Sequence, residues 1–169
     1  MVKGITYSEI ASSYNELYKD EQIKKLSMIK RNIKIAPVLL DVGCGTGIST
    51  NYFNVKSVGI DNCKEMLNIG RNNGYNNLIY GNAEDLPFKN KSFNTVISVT
   101  GFHNFKDMEK ALKEVIRVSK NGNIAVSFLK SSSKLKNFRT LIVKYFKKFK
   151  EIEDSKDILF IIEQPIKHE

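Results

Sequence analysis

The segment Pro37-Val38-Leu39-Leu40-Asp41-Val42-Gly43-Cys44-Gly45-Thr46-Gly47 constrains the fold more than any other part of the chain. An apolar run without polar alternation reads as a strand buried on both faces, the kind found in parallel sheets. It ends on an acid and runs into three alternate glycines, which let the backbone turn sharply without Cβ clashes. Thr46 to Phe53 continues as a short helix, so backbone N–H groups converge on the corner, where a nucleotide-like ligand can sit. The glycine spacing is G-x-G-x-G, whereas a dinucleotide fingerprint needs G-x-G-x-x-G, and this weighs against a nicotinamide cofactor.

The next segment, Val55 to Asp61, reads as a second strand closing on a carboxylate eighteen residues after Gly43. An acid at that place can accept hydrogen bonds from both ribose hydroxyls of a nucleoside. Asn62-Cys63-Lys64-Glu65-Met66-Leu67 then opens a second helix, which Asp61 or Asn62 is suited to cap. A third block runs Gly81-Asn82-Ala83-Glu84-Asp85-Leu86-Pro87-Phe88 and continues Ser92-Phe93-Asn94-Thr95-Val96-Ile97-Ser98.

Together these blocks resemble the class I S-adenosylmethionine-dependent methyltransferases, in particular their small-molecule-type ("type 11"-like) branch. That family carries (D/E)-x-G-x-G-x-G, then D-x-S-x-x-M-L, then G-D-A-E-D-L-P-F…S-F-D-x-V-I-S. The resemblance covers about residues 38–129. It implies S-adenosyl-L-methionine as cofactor, with S-adenosyl-L-homocysteine as product, held by Asp41, Gly43, Cys44, Gly45, Gly47, Asp61, Asn62, Met66, Asn82, Ala83, Glu84 and Ser98. Within that set it places the Asn82 side chain on the adenine amino group and the Ala83 backbone N–H on a ring nitrogen. Three departures stand out: Cys63 replaces a usual serine, and Asn82 and Asn94 replace usual aspartates. An amide at 82 still offers a carbonyl acceptor, though a neutral one.

Beyond these blocks, Met108 to Val118 has helical apolar spacing, Ser119 to Asn123 reads as a turn, and Ile124 to Leu129 as the fifth strand. Ser8 to Ile33 reads as one long or broken helix ahead of the sheet. Leu135, Phe138, Leu141, Ile142, Tyr145, Phe146 and Phe149 form the stripe of a sheet-covering helix, and Phe149–Glu153 with Ile158–Glu163 the final antiparallel pair. The expected architecture is α/β, doubly wound and Rossmann-like: a seven-stranded, mostly parallel sheet with one antiparallel strand near the C-terminus and helices on both faces. Residues 1–169 are read as a single domain, 1–35 as an N-terminal helical lid and 36–169 as the core, since a chain of this length with 41% hydrophobic content can bury one sizeable core.

For chemistry, a sulfonium methyl is already activated, so positioning does most of the work and no catalytic triad is needed. His103, after the fourth strand, is a candidate to orient or deprotonate an acceptor, against the plainer reading of a structural histidine. Tyr14, Tyr18, Phe102 and Lys130 complete the candidate acceptor-side residues. The loop after that strand lacks N-P-P-(Y/F), which disfavours amide-nitrogen methylation. Two cysteines without C-x-x-C or Cys/His clustering indicate neither zinc nor a disulfide scaffold.

Charge is local. Residues 115–150 hold ten basic and no acidic residues, and the remainder seventeen basic against eighteen acidic. This stretch fits an anionic or RNA acceptor, or simply a solvated helix face. With no apolar run near the roughly twenty residues of a membrane span, and no leader pattern at Met1-Val2-Lys3-Gly4, the expectation is a cytoplasmic monomer or homodimer without a membrane partner. The methyl acceptor expected is a small molecule rather than a macromolecule. A non-catalytic cofactor-binding or RNA-associated module, and a nucleotide-dependent oxidoreductase, remain as alternatives.

Overall fold

The structure is a computed structural model that describes the backbone of residues 7–120 and 122–165 and the side chains of 19–120 and 122–163. Elements follow in the order α1 (Tyr7–Asn32), β1 (Leu39–Val42), α2 (Ile48–Tyr52), β2 (Ser57–Asp61), α3 (Lys64–Asn72), β3 (Leu78–Tyr80), β4 (Thr95–Val99), a 3-10 turn (Phe102–Asn104), α4 (Met108–Val118), β5 (Ile124–Leu129), α5 (Leu135–Tyr145), β6 (Phe146–Glu153) and β7 (Asp157–Pro165). The seven strands form one sheet in the order β3-β2-β1-β4-β5-β7-β6. Neighbours from β3 to β5 pair in parallel, and β7 runs antiparallel to both β5 and β6, so β7 is the one reversed strand. This is the doubly wound architecture that the sequence pattern predicts.

Strand alternation divides the core in two. Leu39, Ile97, Val99, Ala125, Leu159 and Ile161 pack with Leu26 and Ile29 of α1, and Ile48 and Tyr52 of α2 lie against them. Leu40, Val96, Val126, Phe128 and Phe160 point the other way, among Leu112 and Val115 of α4 and Phe138 and Ile142 of α5. Both faces are therefore covered, as parallel strands require.

Strand order reverses between β1 and β4: β2 and β3 extend to one side of β1, β4 and β5 to the other. In open α/β sheets the crevice at such a switch, beyond the strand C-termini, is where ligands bind. The glycine turn after β1 and the loop after β4 both open there.

Two boundaries differ from the sequence reading. The stripe through Phe149 is not one helix: α5 ends at Tyr145, and Phe146 and Phe149 belong to β6, whose pairing with β7 shifts register between Phe146 and Lys148 and again before Phe149. Helix α3 is capped at Cys63, in an extended conformation, rather than at Asp61 or Asn62. The Asp61 carboxylate takes the Cys63 backbone N–H instead, at 2.8 Å.

Candidate functional site

The turn after β1 holds Gly43, Gly45 and Gly47 at φ of +76°, +55° and +83°, the left-handed region that glycine enters without a Cβ penalty. A Cβ on Gly43 would lie 3.2 Å from the Phe105 ring, and one on Gly47 2.8 Å from the Leu78 side chain. The Gly43 and Cys44 N–H groups bind the Ile60 carbonyl at the end of β2, which sets the turn beside that strand. Asp61 then fastens it: Gly45 N–H donates to Asp61 Oδ2 at 2.8 Å, while Cys63 N–H reaches Oδ1. Burial raises the Asp61 pKa and these backbone donors hold it down.

Asp41, expected among the ligand contacts, is fully buried below the turn. Odd positions of β1 face α1 and α2, so its Oδ2 accepts the hydroxyls of Ser49 at 2.5 Å and Thr50 at 2.8 Å on α2. Its Oδ1 has no partner, and burial lifts its pKa to about 6 against those two donors. Asp41 thus acts on the turn through α2. Cys44 is also turned inward, 5% exposed among Leu67 and Leu78, with burial raising its thiol pKa well above the usual value. Only its backbone is left to meet a ligand.

Across β2, Met66 is buried on α3 at 2% exposure and Asn62 is exposed. The turn after β3 has Asn82 exposed and Ala83 buried, closed by Asp85 N–H on the Asn82 carbonyl at 3.2 Å. The following Leu86–Asn90 stretch is held to α4. Glu114 Oε2 accepts the Leu86 N–H at 2.8 Å, and Arg117 donates to the carbonyls of Leu86 and Phe88 and to Asn90. Glu84, two residues on from Asn82, accepts the N–H groups of Lys106 and Asp107 at 2.9 and 3.2 Å, at the start of α4. Asn94 donates to the Pro37 carbonyl at the opposite end of the sheet, so its lost charge does not bear on the crevice.

The loop after β4 supplies the facing wall. Ser98 is 1% exposed with an unpartnered hydroxyl, close under Gly101. Thr100 has φ of +56°, strained for a β-branched residue. It is held by its N–H on Ser127 Oγ at 2.8 Å and by Lys25 Nζ on its hydroxyl at 3.0 Å. Lys25 in turn pairs with Asp157 Oδ2 at 2.7 Å, both nearly buried. Phe102 is fully buried against Phe138, a core residue rather than an open acceptor contact. His103 lies edge-on to Phe128, with Nδ1 buried and unpartnered. Burial, then the Lys134 and Lys25 cations, lower its pKa to about 4, so it is a neutral imidazole at neutral pH. Lys134 Nζ donates to the His103 and Phe105 carbonyls at 2.9 and 3.4 Å. Lys130 is drawn aside to Glu153 at 2.9 Å, toward the β6–β7 turn. The side chains of Tyr14 and Tyr18 lie outside the described residues.

The sequence gives no role to Lys25, Thr100 or Phe105, and marks Lys134 only as one of the basic residues at the edge of the crevice. The contacts that place them join residues 27 to 132 positions apart, from Thr100 with Ser127 to Lys25 with Asp157. Among the described residues no group of His, Cys, Asp and Glu could hold a metal ion.

The methyltransferase domain model of the type 11 family matches residues 40–127, from the middle of β1 into β5. The chain belongs to that family. Class I methyltransferases bind S-adenosylmethionine, and the described residues fit it: three Cβ-free turn positions, a carboxylate at the end of β2 with lone pairs to spare, and a buried orphan hydroxyl at Ser98. An uncharacterized protein (MJ1252) of Methanocaldococcus jannaschii is 40% identical over 122 residues, 71% of this chain and 48% of that one. The demethylmenaquinone methyltransferase of Geobacillus stearothermophilus is 35% identical over 136 residues, 73% of this chain and 58% of that one. The methyltransferase chain thus spans about half to three fifths of the length of these relatives. In fold it matches a SAM-dependent methyltransferase of Thermotoga maritima with a TM-score of 0.74 at 20% identity, covering 94% of this chain and 98% of that one.

Proposed function

We propose that this chain transfers the methyl group of S-adenosylmethionine to a small-molecule acceptor. The observation that carries the reading is the Gly43–Gly47 turn, left-handed at all three glycines and fastened to Asp61 by the Gly45 N–H. In this reading the turn cradles the methionine end, Asp61 takes the ribose hydroxyls, and Asn82 with the Ala83 N–H meets the adenine ring. The cofactor supplies an activated methyl on a sulfonium sulfur. The protein's part is to hold it in line with the acceptor and exclude water. His103, neutral and with its pKa lowered to about 4, is a weak base, and its part is to orient an acceptor hydroxyl or amine by a hydrogen bond.

A small acceptor is favoured over RNA because the basic stretch is partly neutralised in place. Arg139 pairs with Glu151, Lys144 with Glu109, Lys130 with Glu153, and Lys148 and Lys150 with Glu163. These pairs take up five of the stretch's ten basic residues and so weaken, without removing, the positive field that a net charge of +9 presents to a polyanion. Transfer of a labelled methyl group from S-adenosylmethionine into metabolite extracts, with total RNA in parallel, tests this. Label in a small-molecule fraction is the expected result. Label in RNA alone overturns the acceptor class, and cofactor binding with label in neither favours a non-catalytic module.

A further inference from the structure

Glu84 is two residues from Asn82, within the turn read above as the adenine side, yet its carboxylate serves a different part of the crevice. Oε1 accepts both the Lys106 N–H (2.9 Å) and the Asp107 N–H (3.2 Å). Asp107 is the N-cap of α4, its own carboxylate accepting the Lys110 N–H at 2.9 Å. A carboxylate on N–H groups at the positive end of a helix makes a charge-assisted contact with directional demand. These two residues close the loop that begins at Thr100 and carries His103 and Phe105.

The loop's other tethers come from outside the β3 turn: Ser127 accepts the Thr100 N–H, and the Phe102 ring is buried against Phe138. Lys25 holds it at Thr100, and Lys134, an exposed side chain, holds the His103 and Phe105 carbonyls. Within the loop, Asn104 N–H bonds to the Gly101 carbonyl and Phe105 N–H to the Phe102 carbonyl, at 3.0 and 3.2 Å. The only side chain among these tethers that comes from the β3 turn is Glu84. A ligand that orders the 81–85 turn therefore fixes the carboxylate against which the far end of the acceptor-side loop is aligned.

We infer that Glu84 is a positioning residue that couples occupancy of the adenine-side turn to the order of the acceptor-side loop, residues 100–107. The inference rests on the proposed cofactor role of that turn. A competing route exists through Phe105, whose ring lies against Gly43. A plain capping role for Glu84 on α4 is the other alternative.

Amide hydrogen exchange of the purified chain, resolved by residue and measured with and without saturating S-adenosylhomocysteine, separates the three. The reporters are the Asn104 and Phe105 amides, whose bonds do not involve Glu84. In the native chain the ligand slows their exchange by about tenfold, a typical coupling factor. In Glu84→Ala the ligand leaves them unchanged while calorimetry shows its affinity reduced by no more than about tenfold, as reciprocity requires. Glu84→Gln, which keeps an oxygen acceptor, restores most of the effect. Should Glu84→Ala lose its helical circular dichroism, Glu84→Asp, which withdraws the carboxylate by one methylene, carries the same expectation. Ligand protection that persists in these variants overturns the inference in favour of the Gly43–Phe105 route. Exchange that is faster by the same factor with and without ligand reduces Glu84 to a helix cap. No protection in the native chain despite binding sinks the coupling alone, and no binding at all sinks the cofactor reading with it.

Discussion

The Gly45 backbone N–H donates to Asp61 Oδ2 at 2.8 Å, so the ribose candidate at the end of β2 also locks the glycine turn at the end of β1. Removing Asp61 releases the turn and, in the proposed reading, costs a ligand contact with it. Asp61→Ala is expected to weaken S-adenosylhomocysteine binding by at least tenfold, in line with about 1.5–3 kcal/mol for a hydrogen bond to a charged group. His103→Ala, on the acceptor side, is expected to stay within about threefold, less than one such bond. Equal losses in the two variants, read by calorimetry, would contradict the assignment.

Gly47→Ala should impair both folding and binding. Its new Cβ would meet the buried Leu78 side chain at 2.8 Å at a φ of +83°. The left-handed conformation alone costs about 1–2 kcal/mol for a residue with a Cβ. Adding Leu78→Ala removes the clash but not the strain, so the melting temperature of the double variant should stay below that of Leu78→Ala alone.

Lys25 and Asp157 form an ion pair with side chains 10% and 3% exposed, joining α1 to the start of β7. Lys25→Met leaves Asp157 buried without its partner and should destabilise by about 3–5 kcal/mol in a denaturant titration. Combined with Asp157→Leu, most of that loss should return. A double variant as unstable as Lys25→Met would show that the Thr100 contact, rather than the ion pair, is what matters.

Asp41 and His103 pull stability in opposite directions with pH. The folded pKa of Asp41 is raised from 3.8 to about 6, so its contribution is full below 3.8 and lost as pH rises through about 6. That of His103 is lowered from 6.5 to about 4, so its contribution is present above 6.5 and lost as pH falls through about 4. Asp41→Asn keeps a carbonyl for Ser49 and Thr50 while removing the buried charge. From about pH 4 to pH 7 the variant should gain about 2 kcal/mol relative to the native chain, in urea titrations at the two pH values. A pH-independent difference would place Asp41 in a hydrated environment.

What the sequence made legible was local. The glycine turn, the strand ending on Asp61 and the helix from Met108 each declare themselves within about ten residues, and the parallel order follows from their alternation. Side-chain direction was less accessible. The motif puts Asp41 among the ligand contacts, whereas position 41 shares a face with Leu39 and its carboxylate meets Ser49 and Thr50 of α2. Glu84 stood in a cofactor-like block, yet its partners lie 22 and 23 residues on. The end of α5 was obscured because Phe138, Ile142, Tyr145 and Phe149 keep helical spacing across the boundary. Two register shifts in β6 remove the alternation that would have announced a strand.

The central claim is that the Gly43–Gly47 turn and Asp61 together hold a sulfonium nucleoside. Titration calorimetry of the purified chain with S-adenosylmethionine, S-adenosylhomocysteine and NAD tests it most directly. The account predicts saturable one-site binding of both sulfur ligands, weakened at least tenfold by Asp61→Ala, and none of NAD. Binding of NAD without either sulfur ligand, or of no nucleoside at all, would contradict it.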